Sequence, residues 1–242
     1  MLSSLPPELL EVFERSVTAE LVTVDGQRRP TAWPVTPSFD PHELCLEVGA
    51  VPGIGDAARD PHVALLFSEL RTTDAPEPPM VLVQGTARVR AEIRVRPERL
   101  YVWPRADLEA EPRLYDAHVE EVRSAHNEEP EVGHSPPEGG PPAWDPRLDE
   151  LGTTLDTAVL AFVGPDGFPF AVRVPVGADR DAGIVRIGAD PVGAPIEPGL
   201  VCLCASALRV RGDLEEDHGG WIVRPHGIVG DVERHGEPDP RR

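Results

Sequence analysis

Hydrophobic and polar positions alternate along most of the chain in short runs, the period-two signature of half-buried strands. Residues 21–24, 31–36, 44–48 and 63–67 form one series of predicted strands. A long alternating stretch at 81–95 follows it, with Arg88, Arg90, Arg94 and Arg96 on one parity, which predicts a strand whose arginines face water. A second series runs 158–163, 170–176, 183–187, 200–204 and 221–232. Helical spacing is confined to three places. Residues 5–16 place Leu9, Leu10 and Phe13 on one face behind a Pro-Pro-Glu start. Residues 49–60 pass through a Gly/Pro turn into one helical turn, and 108–125 predicts a longer helix.

The two strand series share a stretch. D-G-Q-R-R-P-T-A-W-P-V (25–35) and D-G-F-P-F-A-V-R-V-P-V (166–176) each start on Asp-Gly and end on Pro-Val, between alternating runs. Asp-Gly in that setting is a strong hairpin signal. The order of predicted elements after each stretch is also alike, although the short helix of 49–60 has no counterpart in 188–199. The pattern predicts two related β-units at 1–103 and 151–242, joined by a segment at 104–150. That segment carries 13 acidic and 4 basic side chains and is rich in Pro and Gly at 128–144, so it reads as an acidic helical and extended linker. The fold class expected is mainly β (α+β), with the two units packed as an intramolecular pseudo-dimer.

Composition narrows the function. With 29 Pro and 22 Gly among 242 residues, turns outnumber long helices. A net charge of -19 disfavours nucleic acid and anionic membranes as partners. All 23 basic residues are Arg, which excludes lysine Schiff-base chemistry. The start of the chain has neither a basic n-region nor a long apolar run, so the expectation is a cytoplasmic protein. Cys45, Cys202 and Cys204 have no zinc spacing and read as buried thiols. His118, Glu121, His126, Glu129 and His134 lie in the acidic segment, without the spacing of a metal motif, and read as a solvated helix. No nucleophile elbow, Walker loop or dinucleotide fingerprint is present.

The runs R-R-P-T-A-W-P-V, E-L-C-L-E-V-G, A-A-R-D-P-H-V-A-L-L-F and V-L-V-Q-G-T-A-R-V resemble the pyridoxamine 5'-phosphate oxidase-like family, the FMN-binding split β-barrels. The resemblance covers about 17–104 and, more loosely, 157–234. It implies two tandem split barrels supplying what is usually a homodimer, either as a monomeric pseudo-dimer or as a homodimer of this chain. It also implies an FMN-dependent oxidoreductase acting on a small molecule, with deazaflavin as an alternative cofactor. The flavin would lie against the strands carrying Pro34, Val35, Thr36 and Gly49, with Trp33 beside the ring. Its phosphate would meet Arg29 and Arg59 in the first unit, or Arg173 and Arg186 in the second. The loop cation common in the family is replaced here by Gly53-Ile54-Gly55. Two other readings follow: a binding or structural module without catalysis, and a heme protein ligated by His226 or His62. If one site works, it is expected against the first unit, which keeps the short helix.

Overall fold

The computed structural model describes residues 7–68, 79–104, 110–116, 144–189 and 191–229. Helix α1 (Pro7–Arg15) leads into β1 (Ala19–Val24), β2 (Pro30–Val35), β3 (Pro37–Asp40) and β4 (Cys45–Val48). Helix α2 (Ile54–Arg59) precedes β5 (His62–Phe67), β6 (Met80–Val89), β7 (Ile93–Trp103) and β8 (Arg113–Asp116). After a 3₁₀ turn at Pro146–Glu150 come β9 (Thr157–Val163), β10 (Pro169–Asp179), β11 (Ile184–Ile187), β12 (Gly199–Ala205), β13 (Leu208–Asp217) and β14 (Gly220–Ile228).

Two expectations need correction. The single strand at 81–95 is a hairpin, because β6 turns back at Arg90–Glu92 and β7 pairs with it from Val89↔Ile93 onward. Arg88 and Arg94 are therefore cross-strand partners, and alternation on both strands still turns these arginines outward. Within the helix expected at 108–125, Arg113–Asp116 is instead strand β8, which adds to β7 through main-chain pairing. The rest of that expected helix lies largely outside the described residues, as do His118, Glu121, His126, Glu129 and His134.

The protein is mainly β, and its two sheets pair in one order. The second is a closed barrel, β10-β11-β14-β13-β12-β9. The first runs β2-β1-β5-β6-β7-β4-β3. It is the same ring cut open where β10 is continuous, since β2 and β3 sit at its two ends and are separated in sequence only by Thr36. Pro37 has no N–H with which to carry a ladder through this break. These are two split barrels within one chain.

They pack face to face. In the first unit, Leu9, Val12 and Phe13 of α1 plug a core with Leu21, Leu65, Phe67, Val81, Val83 and Leu100. The opposite faces of the same strands, carrying Val22, Ala64, Leu66 and Leu82, join Ala32 and Trp103 in the core of the second barrel. Strands buried on both faces read as unbroken apolar runs, which is why 63–67 shows no polar alternation. The contacts across the seam are reciprocal. β2 lies on β12 and β9, as β10 lies on β5 and β1. Gln84 precedes the β-bulge glycine of β6 and donates from Nε2 to Pro169 O at the start of β10 (2.9 Å). Arg211 precedes the bulge glycine of β13 and donates from Nη2 to Thr31 Oγ1 near the start of β2 (2.8 Å). Reciprocity of this kind marks an isologous, two-fold-like interface.

The bulges leave no room for a side chain. A Cβ on Gly85 would collide with Arg96 O, and one on Gly212 with Arg224 O, both fixed backbone atoms, whereas a Cβ on Gly26 meets nothing. Gly85→Ala and Gly212→Ala should each lower the unfolding free energy by about 2 kcal/mol or more. Gly26→Ala should change it far less, and urea unfolding of the three variants measures the difference.

Candidate functional site

A cavity of about 310 Å³ opens where the end of β2 meets the end of β4. Thr18, Pro34, Val35, Thr36, Val48, Gly49, Ala50 and Val51 line it. It exists because the strand breaks at Thr36, and the second unit shows what continuity does at the matching place. There β10 runs on through Pro175, Gly188 N–H donates to Pro175 O (2.8 Å), and a Cβ on Gly188 would touch the Pro175 ring. Gly49 has open space on that side, and its N–H has no backbone acceptor among the described residues. One unit has a slot, and in the other it is zipped shut.

Beside the slot stands Trp33. The Arg209 guanidinium, from β13 of the second unit, lies over its ring at 4.7 Å and donates from Nε to Ala32 O (3.0 Å). A Cβ on Gly53 would fall 2.6 Å from Trp33 Nε1 and 2.8 Å from Thr23 Oγ1, so only glycine fits before α2. Both polar atoms are buried without a hydrogen-bond partner, as is Arg211 Nε.

Of the residues expected from sequence to hold a cofactor, Pro34, Val35, Thr36 and Gly49 converge on the slot, with Trp33 adjoining it along β2. The four arginines do not converge. Arg29 sits at the far end of β2, seven residues or about 23 Å of extended chain from Thr36, and pairs with Asp25 (2.8 Å). Arg59 is exposed and pairs with Asp56 (3.4 Å). Arg173 takes the place that Pro34 has in the first unit and bonds Glu20 (2.8 Å) and Ser68 (2.9 Å) across the seam. Arg186 pairs with Asp179 and Asp217 on the second barrel. His62 bonds Asp60 (2.9 Å) with its ring against Phe168, and His226 bonds Asp213 (2.8 Å). Val48, Ala50 and Val51 of the slot fall in the strand at 44–49 and the loop after Gly49, where the resemblance puts the flavin, whereas sequence reasoning missed Thr18 of the slot and Arg209 and Arg211 beside it. The pattern R-V-R-G at 209–212, parallel to L-V-Q-G at 82–85, was the available signal for the last two.

Burial also sets the chemistry of the thiols. It pushes the Cys202 thiol up, and it pushes Cys204 up to about 12, so neither is a thiolate at neutral pH. Burial pushes the Asp25 carboxyl up as well, but the Arg29 N–H, its guanidinium and the Gln27 N–H outweigh this and hold it below the usual value.

No protein-family model matches the chain, and no curated protein matches it. Among solved structures it is similar to a candidate pyridoxamine 5'-phosphate oxidase from Listeria innocua, at 19% identity over 39% of this chain and 94% of that one, with a TM-score of 0.33. It is similar to General Stress Protein 26 from Bacillus anthracis at 16% identity, over 46% of this chain and 96% of that one (TM-score 0.35). An F420 reductase matches at 17% identity, over 40% and 98% (TM-score 0.33). Each match spans less than half of this chain, and the split-barrel assignment rests on the strand pairing above. Among the described residues no helix is long and apolar enough to cross a membrane.

Asp25→Asn should cost about 1 kcal/mol of stability at pH 7, the usual net worth of a hydrogen bond, since the amide keeps one acceptor oxygen for the turn. The folded-state pKa of Asp25 is depressed, so the wild-type advantage is complete above the unfolded-state value and is lost as pH falls through the folded one. Thermal unfolding of both proteins between pH 7 and pH 2 should show the gap closing at the acid end. A gap that stays constant would show that the carboxylate charge contributes nothing.

Proposed function

We propose that this chain is a duplicated split-barrel protein of the pyridoxamine 5'-phosphate oxidase-like kind that binds one small molecule in the slot of its first unit. The second unit acts as a built-in partner that supplies the seam and holds Trp33. Duplication is supported by the common pairing order and by the reciprocal contacts of Gln84 and Arg211. The observation that carries the reading is the contrast between Gly49, open to the slot, and Gly188, bonded to Pro175.

The walls select the ligand. Val35, Val48, Val51 and Pro34 offer apolar surface, and Thr18 and Thr36 offer two hydroxyls; among the described residues no charged side chain lines the slot. At about 310 Å³ it is at the lower end of small-molecule sites. The residues fit an uncharged ring such as that of a flavin. At the four arginines implied by the family resemblance they do not fit the phosphate of FMN, because none of the four lines the slot, and Arg29 and Arg173 are paired with Asp25 and Glu20. Displacing Glu20 from Arg173, a pair that is mostly buried, would cost the interaction it now makes.

A second reading, a flavin- or deazaflavin-dependent oxidoreductase, is favoured by the position of the slot. It lies against the two strands where the resemblance puts the flavin. Heme ligation has less support, since His62 and His226 are each bonded to an aspartate.

Riboflavin, which carries the ring without the phosphate, tests the slot directly. Fluorescence titration should show one equivalent bound per chain. Gly49→Leu, whose side chain enters the open space, should weaken binding tenfold or more, about 1.4 kcal/mol. Binding of two equivalents, or unchanged binding by Gly49→Leu, would contradict the single-slot reading.

A further inference from the structure

Along the seam between β2 and β13, positive charge is not balanced. The chain as a whole carries -19, yet here Arg29 and Arg211 share a single carboxylate, Asp25, and Arg209 stands two residues before Arg211 on β13. That carboxylate lies 2.8 Å from Arg29 and 3.8 Å from Arg211. Glu20, on the neighbouring strand, is taken by Arg173. Arg209 has a backbone carbonyl and an aromatic face as partners and no carboxylate among the described residues. Its two terminal amino groups make no hydrogen bond there.

The geometry suits one kind of occupant. Arg209 and Arg211 are two apart on β13, so their side chains leave the same face about 7 Å from each other. Both cross the seam to β2, Arg209 to Ala32 and Trp33 and Arg211 to Thr31. Nε of Arg211 is buried with no acceptor, and so is the hydroxyl of Thr23, the cross-strand partner of Thr31, in a residue only 1% exposed. A buried donor left unmet is costly, and guanidinium groups meet oxyanions in a strong two-pronged geometry.

We propose that Arg209 and Arg211 form an oxyanion subsite at the β2–β13 seam, with Trp33 as its wall, that takes the phosphate or carboxylate of a small ligand. This rests on the reading of the neighbouring slot as the seat for the body of that ligand. The subsite is single for the same reason as the slot. At the matching positions of the first unit stand Leu82 and Gln84, and Gln84 is spent on Pro169 O.

Those residues also supply the test, because Arg209→Leu and Arg211→Gln install side chains that the fold already accepts at the equivalent places. The probes are inorganic phosphate and acetate, titrated by calorimetry into the full chain. The wild type should bind one of them with a Kd in the millimolar range. The better-bound probe tells phosphate from carboxylate. The double variant should lose at least tenfold in affinity, while Gly49→Leu should keep it, which separates this subsite from the slot. Independently of any variant, the bound anion should shift the indole N–H resonance of Trp33, assigned with Trp33→Phe, more than those of Trp103, Trp144 and Trp221. Binding of neither anion, equal binding by the double variant, or an unmoved Trp33 resonance would overturn the subsite.

Discussion

The free edge of β2 is the constraint on which the rest of this structure depends. In the second barrel the matching strand is continuous and hydrogen-bonded on both sides, and the ring closes. In the first the strand breaks at Thr36, so β2 has a sheet partner on one side only. Unpaired strand edges invite association and have to be covered. Here the second barrel covers it, with Arg209 on the carbonyl of Ala32 and Arg211 on the hydroxyl of Thr31. The apolar faces of β1, β5 and β6 are buried against the same partner.

The break that exposes the edge also opens the slot. The two halves share their ring order and their bulge positions, and four differences between them bear on the slot. Thr36 faces Pro175, Trp33 faces Val172, and Leu82 and Gln84 face Arg209 and Arg211. Each difference falls on the seam of the first unit's slot. A two-fold dimer of identical chains would have to carry the same residues at both seams. Within one chain the two seams can differ: one carries Arg173 bonded to Glu20 and Ser68, the other Arg209 over Trp33 and Arg211 on Thr31.

Much of the fold was legible in sequence, because strands buried on one face alternate and strands buried on two faces do not. Most of the strands fall within a few residues of their expected places. The turn at Arg90–Glu92 was hidden because it carries no Gly, Pro or Asn and the arginine alternation runs through it. The twin Asp-Gly stretches are both hairpins, but they are out of step. Asp25 is the first residue of its turn, whereas Asp166 is the third of its own, between Val163 and Pro169. What the turns share is a left-handed fourth position, filled by Gly167 at φ 83° and by Arg28 at φ 58°. The site was legible only where it is main-chain and local, at Pro34 to Thr36 and at Gly49. Arg209 and Arg211 lie about 175 residues further along the chain, and strand pairing alone brings them to β2.

The central claim is that one strand pair is zipped and its counterpart is open. Amide hydrogen exchange read by NMR at Gly49 and Gly188 tests it most directly, since a hydrogen-bonded N–H exchanges only when its bond opens. The account predicts a protected Gly188 amide, a fast-exchanging Gly49 amide, and slower exchange at Gly49 alone when the slot is filled. Equal protection at both glycines in the free protein would contradict it.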